Sequence, residues 1–175
     1  MNVYYFLLII IMILAILSLI FFSSYSKLKK LKEKMDKAEV IIEDNLNKKL
    51  DLIIAINGDV KKVTNKKDYL KDYVSINNLI ITNIEKDLKL NEAEKLIFDL
   101  TKDFEVLNKD SKFIQNLNEI RKLDEILTSA KNVYNNSALS SNKLIKNFPY
   151  NIVSKIVKIK YRSFYNNKTD SEETF

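Results

Sequence analysis

The sequence contains no histidine, no cysteine and no tryptophan, and it has a single glycine and a single proline among its 175 residues. Without histidine or cysteine, the commonest general base near neutral pH and two common ligands of catalytic zinc are missing. The lack of cysteine also excludes a disulfide framework. Tight hairpin turns depend on glycine and proline, so the composition argues against an all-β fold and favours a helical one.

Few catalytic motifs can be built from the residues that remain. Ser140-x-x-Lys143 has the spacing of a serine–lysine nucleophile pair, but the same spacing recurs elsewhere in this lysine-rich chain, and the companion motifs of that enzyme class are missing. A lone Gly58 cannot form a glycine-rich phosphate loop. We therefore predict a protein that is not an enzyme, with no cofactor and no metal site.

The longest feature of the sequence is an uncharged apolar run over residues 3–22. Twenty helical residues span about 30 Å, the thickness of the hydrocarbon core of a bilayer. A cleavable signal peptide has a basic segment, then an apolar run of about 7 to 15 residues, then small residues at its cleavage site. Here no lysine or arginine precedes the run, the run is longer, and Ser23-Ser24-Tyr25 is a poor cleavage site. The run predicts an uncleaved signal-anchor, that is, a single-pass transmembrane helix.

The orientation of this helix follows from the distribution of lysines around it. Six lysines follow the apolar run within fifteen residues and none precedes it: Lys27, Lys29, Lys30, Lys32, Lys34 and Lys37. Basic residues favour the cytoplasmic side. We expect residues 1–2 to be extracellular, residues 3–22 to cross the cell membrane, and residues 23–149 to form a cytoplasmic helical bundle.

Apolar residues recur at helical spacing from Ser26 to Val63, so the membrane helix is predicted to continue into the bundle. Asn57-Gly58 favours a turn and leaves open whether this helix breaks there. A second helix is predicted over residues 70–88 and a third from Asn91, where Glu94 completes a capping box.

The fourth predicted helix begins with Asp110 or Ser111 as its cap and runs to Asn147, where Pro149 stops it. Short polar connections predict that neighbouring helices pack antiparallel. The predicted fold is all-α: an N-terminal transmembrane helix that continues into an antiparallel bundle of long helices, of the four-helix type, with coiled-coil-like packing.

A basic amphipathic segment follows over residues 150–165, and an acidic tail over residues 166–175 is predicted to be disordered. This segment should return to the juxtamembrane lysines, where lysine and aromatic side chains favour anionic lipid at the inner leaflet. Its apolar half packing on the bundle, with the lysines in water, is an equal alternative. The net charge of +6 is too modest to indicate nucleic-acid binding. The candidate membrane-interface residues are Lys27, Lys29, Lys30, Lys155, Lys158, Lys160, Tyr161, Arg162 and Phe164.

Three groups of residues together resemble the LemA family of bacterial membrane-anchored proteins. The first is Leu46, Lys48, Lys49, Asp51, Leu52 and Ile53; the second is Phe104, Leu107, Phe113, Gln115, Glu119 and Ile120; the third is Tyr134, Asn135, Asn142, Phe148 and Pro149. The chain departs from the family at Ile54-Ala55, in place of Pro-Asn, and at Leu123-Asp124, in place of Thr-Glu. The resemblance implies an N-terminal anchor with its N-terminus outside and a helical bundle inside, and it implies no agreed biochemical activity.

Asp51 is the most notable single residue of the first helix. Lys48 and Lys49 can neutralise it, and a paired acid that faces another helix would set the register of the bundle. A structural role for Asp51 outweighs a catalytic one. The sequence thus predicts a membrane-anchored, non-catalytic scaffold or adaptor for an unidentified protein partner or for lipid; the alternative is a regulatory or accessory subunit of a membrane enzyme or transport complex.

Overall fold

The structure is a computed structural model that describes residues 3–64 and 67–165. Those residues form five α-helices and two short 3₁₀ segments and contain no β-strand, so the predicted all-α class is confirmed. In chain order the helices are α1 (Val3–Val63), α2 (Lys71–Val74), α3 (Asn83–Asp103), α4 (Ser111–Leu144) and α5 (Tyr150–Ile156); the 3₁₀ segments are Ser75–Asn78 and Glu105–Lys109. The predicted extracellular residues 1–2 and the predicted tail 166–175 lie outside the described residues.

The apolar run forms the first five turns of α1. Apart from Phe21, which is half-buried, its large side chains are exposed on every face, from Ile10 at 37% to Tyr4 at 79%. By length and composition this helix is able to cross a membrane. An apolar surface on all sides of a helix is the pattern of a helix that lipid surrounds. The N-terminal part of α1 is therefore a candidate membrane anchor.

Helix α1 continues without a break through Asn57-Gly58 to Val63. Gly58 has no positive φ, so the backbone there is not the left-handed conformation that a turn would need. Asn57 is 5% exposed, and its side-chain amide donates to Asp68 Oδ1 at 3.0 Å. Lys61 Nζ lies 2.5 Å from Asp68 Oδ2. These contacts tie the loop after α1 to the helix on both sides of Gly58.

The second and third predicted helices are wrong in their boundaries. Residues 71–78 form only a short α-helix and a 3₁₀ turn, and α3 begins at Asn83 instead of Asn91. Thr82 is the cap: its hydroxyl accepts from the Glu85 amide at 3.2 Å, and the Glu85 carboxylate accepts from the Thr82 amide at 2.8 Å. This complete capping box satisfies the first amides of α3.

Helix α4 begins as predicted. The Asp110 carboxylate accepts from the amides of Lys112 and Phe113, at 2.9 and 3.2 Å, and caps the helix. The helix ends at Leu144, three residues before the predicted end, and Pro149 follows in a cis peptide bond. Part of the basic segment is helical, as α5; a turn follows at Val157 and Lys158, where Lys158 has a φ of 56°, and residues 159–165 have no regular secondary structure.

The chain divides into two compact units. Of the described residues, the first unit contains 3–37 and 133–164, and the second contains 38–64, 67–132 and 165. Both α1 and α4 contribute residues to each unit. The core of the first unit includes Leu28, Met35, Tyr134, Ala138 and Val153. The core of the second is larger and includes Ile42, Leu46, Leu50, Ile53, Ile56, Leu90, Ile97, Leu100, Phe113, Ile120 and Leu127.

Within the second unit, α3 runs in the same direction as α1. Lys86 Nζ donates to Asn47, and Lys49 Nζ donates to Asn91, so contacts on the two helices advance together along both chains. Lys131 of α4 instead contacts Asp87 of α3, and α4 runs opposite to both. The stretch between Val63 and Asn83 therefore returns the chain from the end of α1 to the level of Asn47, and it contains α2 and a 3₁₀ turn in place of the long second helix that the sequence predicted.

Candidate functional site

Asp51 does not have the environment predicted for it. Its side chain is exposed, and the two lysines expected to neutralise it bind other acids. Lys48 Nζ lies 2.6 Å from Asp44 Oδ2 on the surface, and Lys49 points into the second unit. At about 100° per residue, Asp51 and Lys49 lie about 160° apart around the helix, which places them on opposite faces. At this level of α1 the buried charged residue is therefore Lys49, and Asp59, about three turns further on, is the second that the helix buries.

Lys49 is the centre of a buried polar cluster between α1, α3 and α4. Its side chain is fully buried, and its ammonium group donates to Asn91 Oδ1 at 3.1 Å, to Glu94 Oε2 at 2.9 Å and to Asp124 Oδ1 at 2.6 Å. Three acceptors use all three protons of the ammonium group. Glu94 and Asp124 keep 22% and 25% of their side chains exposed, and Asn91 is half-buried, so the cluster reaches solvent through its acceptors and not through Lys49.

The electrostatics of the cluster depend on two carboxylates that share one lysine. Burial raises the pKa of the Asp124 carboxyl above its usual value; Lys49 opposes this shift, and the neighbouring Glu94 adds to it. The ion pair at 2.6 Å therefore does not offset the cost of desolvating Asp124 beside a second acid. Lys49 is the cation that separates the two carboxylates, so the cluster stabilises the contact between α1, α3 and α4 only while Lys49 is present.

A second buried ion pair joins α3 to α4. Lys131 Nζ donates to Asp87 Oδ1 at 2.6 Å, and their side chains are 9% and 3% exposed. Neither residue is among the functional positions predicted from the sequence. The available signal was the position of Asp87, three residues before Leu90 on a helix whose buried stripe continues through Ala93 and Ile97.

The first unit brings together many of the predicted membrane-interface residues. Lys27 Nζ lies over the Tyr150 ring, 5.6 Å from its centroid, which places the start of α5 beside the residues that follow the apolar run. Lys29 and Lys30 are exposed on α1, and Lys29 Nζ lies 3.8 Å from Glu33 Oε1. The remaining exposed members are Lys155, Lys158, Lys160 and Tyr161.

Arg162 and Phe164 are less available than predicted. Arg162 contacts Asp36 of α1 at 3.5 Å, and the Asn142 side chain donates to the Arg162 carbonyl and accepts from its amide, at 2.8 and 3.0 Å. Phe164 is half-buried. The chain after α5 therefore packs on α1 and α4 of the first unit, while Lys155, Lys158 and Lys160 remain exposed.

The family model described as LemA family matches residues 38–174, which is most of the chain. The chain belongs to the LemA family. No curated protein and no solved structure matches it. The match begins after the apolar run and the juxtamembrane lysines of α1, and it includes both buried ion-pair clusters.

The landmarks that carried the LemA resemblance have different structural roles. Tyr134 is 4% exposed and lies in the core of the first unit, and Asn135 is half-buried. Asn142 holds the backbone at Arg162 with two hydrogen bonds. Phe148 is 71% exposed, so its role next to Pro149 is not core packing. Among the described residues, no group of three acidic, histidine or cysteine side chains is placed to hold a metal ion.

Proposed function

We propose that this LemA family protein is a single-pass membrane protein whose helical part lies in the cytoplasm and acts as a non-catalytic scaffold at the inner leaflet. The observation that carries the proposal is the continuity of α1. One helix contains the exposed apolar run of residues 3–22, the lysines from Lys27 to Lys37 and the buried stripe of both units. Lysines that follow the span and do not precede it favour a cytoplasmic helical part.

The surface of α5 supports contact with the membrane. The contact between Lys27 and Tyr150 sets the start of α5 about one and a half turns past the end of the apolar run. Around it Phe148, Ile152 and Ile156 are 71%, 52% and 61% exposed, and Lys155 is exposed beside them. Apolar side chains interleaved with lysine suit the headgroup layer of a bilayer.

The buried Lys49 cluster supports the non-catalytic part of the proposal. A catalytic lysine needs a proton it can release and access to a substrate, but this ammonium group is fully buried and donates to three acceptors. Lys131 is likewise held by Asp87 in the interior. Both clusters hold helices in register and leave the surfaces of the units for partner binding.

The absence of cysteine gives a direct test of the topology. A single cysteine introduced at the exposed Ser111 should resist a membrane-impermeant maleimide in intact cells and react after permeabilisation, and Asn2→Cys should react in both. Labelling of Ser111→Cys in intact cells, or release of the helical part into the medium, would overturn the orientation.

Contact between α5 and lipid is tested with the same approach. Ile156→Cys carrying a fluorophore should be quenched by lipids with a nitroxide headgroup in nanodiscs. Leu139→Cys is the matched control, because Leu139 is also an exposed apolar residue of the first unit but lies on α4, one turn before Asn142, which Arg162 links to Asp36 of α1. Equal quenching at both positions would contradict an interfacial α5.

The scaffold role predicts a specific protein contact on an exposed apolar position. Val40 of α1 is 66% exposed, and Ile41 beside it is 47% exposed. A photoreactive residue at Val40 should form discrete adducts with protein in cells, whereas the same group at the exposed Lys48 should not. The same adduct pattern at both positions would argue against the scaffold reading, and identification of the adducts would name the partner.

A further inference from the structure

A groove lined by lysines lies between α1 and α4 in the first unit. Its volume is about 640 Å³, and its floor contains the apolar side chains of Leu31 and Leu144. Ser140 and Glu33 also line it. The lysines come from both walls: Lys27, Lys30, Lys34, Lys37 and Lys143. Five ammonium groups against one carboxylate make this a strongly positive concave surface.

The positive charge of the groove is not neutralised within the part of the chain that the structure describes. Among residues 3–64 and 67–165, none of the five groove lysines forms a salt bridge with a carboxylate. Glu33 lies 3.8 Å from Lys29, a lysine outside the groove. Like charges in one concavity raise the local positive potential and attract an anion.

With residues 3–22 across a bilayer, as proposed above, one end of the groove lies at the level of the lipid headgroups. Lys27 follows the apolar run by five residues, or about 7 Å of helix, and the headgroup layer extends about 5 to 7 Å beyond the hydrocarbon core. Helical side chains incline toward the N-terminus of their helix, so the ammonium group of Lys30 is carried back toward the same layer. The far end, at Lys34 and Lys37, lies about 18 to 22 Å from Phe22 along the helix.

We propose that this groove binds the headgroup of an anionic phospholipid, with the phosphate at the end formed by Lys27 and Lys30 and with Lys143 on the opposite wall. The apolar floor at Leu31 and Leu144 accommodates the glycerol part of the lipid, while the more distant lysines add to the field. This inference rests on the proposal that residues 3–22 cross the membrane. It goes further by assigning a defined lipid site to the juxtamembrane part of α1 and α4.

The test uses the full-length protein in non-ionic detergent and counts bound lipid by native mass spectrometry. Phosphatidylglycerol and phosphatidylcholine with the same acyl chains are compared. Each lysine near an anionic headgroup changes binding about fivefold. The variant K27Q/K30Q/K143Q should therefore lose up to about a hundredfold of its preference for phosphatidylglycerol, and its far-UV circular dichroism spectrum should be unchanged because these side chains are exposed.

A matched control separates a site from general positive charge. Lys29, Lys32 and Lys146 are exposed lysines of the same unit that do not line the groove. K29Q/K32Q/K146Q removes the same charge and should keep the preference within about fivefold, the effect of one lysine. An equal loss in both triple variants, or no preference in the unchanged protein, would overturn the proposal.

Two further outcomes are informative. Soluble glycerol phosphate should compete weakly with phosphatidylglycerol; if it displaces the lipid at equal concentration, the groove binds a free anion and the lipid assignment is wrong. The binding measurement in detergent does not depend on orientation in the cell. Failure of the maleimide topology test with retained lipid preference would therefore reject the proposed orientation and leave the lipid site standing, and the reverse pattern would reject only the site.

Discussion

Replacement of Lys49 by methionine should destabilise the second unit by about 3 kcal/mol at pH 7. The change keeps a long apolar side chain but removes the cation that lies 2.9 Å from Glu94 and 2.6 Å from Asp124. Removal of one partner from a buried ion pair costs about 3 to 5 kcal/mol. We expect the lower end of this range because the side chains of Glu94 and Asp124 are 22% and 25% exposed, so that water partly screens their charges.

The measurement is equilibrium urea unfolding of the full-length protein in detergent, followed by far-UV circular dichroism. With a denaturant slope of about 1 to 3 kcal/mol per molar urea, the midpoint should fall by roughly 1 to 3 M. Lys48→Met and Asp51→Ala are the controls, since both residues are exposed, and each should change stability by less than about 0.5 kcal/mol. The triple variant K49M/E94Q/D124N should recover most of the loss, because its carboxylates no longer carry unpaired charge.

The pH dependence has a definite sign. A carboxyl group whose folded pKa is raised, as burial raises that of Asp124, contributes stability that is complete below its ordinary pKa and is lost as the pH rises through the folded value. Without Lys49 the attraction that opposes this shift disappears, so the folded pKa of Asp124 rises further. The cost of Lys49→Met should therefore shrink as the pH is lowered. Equal midpoints for Lys49→Met and Lys48→Met at pH 7 would refute this reasoning.

Three other substitutions test separate parts of the fold. Gly58→Ala should stabilise α1 by about 1 kcal/mol in thermal melts, because Gly58 is helical and an added methyl group would meet nothing within 4 Å; a lower melting temperature would contradict its helical conformation. Thr82→Ala should lower the free energy of unfolding by about 1 kcal/mol through loss of the cap of α3. Hydrogen bonds from Thr82 lower the pKa of Glu85, so the stabilisation from Glu85 is present above its ordinary pKa and is lost as the pH falls through the lowered value. The cost of Thr82→Ala should therefore diminish in acid. Lys131→Met should cost about 3 kcal/mol by leaving Asp87 unpaired in the interior, and K131M/D87N should recover part of it; no loss for the single variant in urea unfolding would show that Asp87 finds another partner.

The long helices were predictable because their apolar stripes are long and regular. The stripe of α1 continues through Ile56 and Val60, so the local preference of Asn57-Gly58 for a turn is overridden by burial on both sides. Asp110 and Pro149 marked the beginning of α4 and the region just after its end through local chemistry that does not depend on the rest of the fold. The resemblance to the LemA family was likewise available from the spacing of landmarks.

The tertiary partners of polar residues were not predictable in the same way. Asn91 and Glu94 have the spacing of a helix cap, yet they are acceptors for Lys49, and the box at Thr82 and Glu85 was overlooked. A single sequence does not show which polar side chains meet across helices. For Lys49 a signal was present: it lies three residues after Leu46, on the buried stripe, but it resembled one more surface lysine in a chain rich in them.

The passage of α1 from its apolar run into packed helix has a mechanical consequence. Ser24 and Leu28 are already buried within the first turns after the run, so no loose linker separates the two parts. In a bilayer, a helix whose apolar length exceeds the local thickness tilts to keep its apolar surface covered. Because Leu28 and Met35 belong to the same continuous helix, they tilt together with the apolar run. Lipid composition would thereby set the angle at which the first unit stands on the membrane.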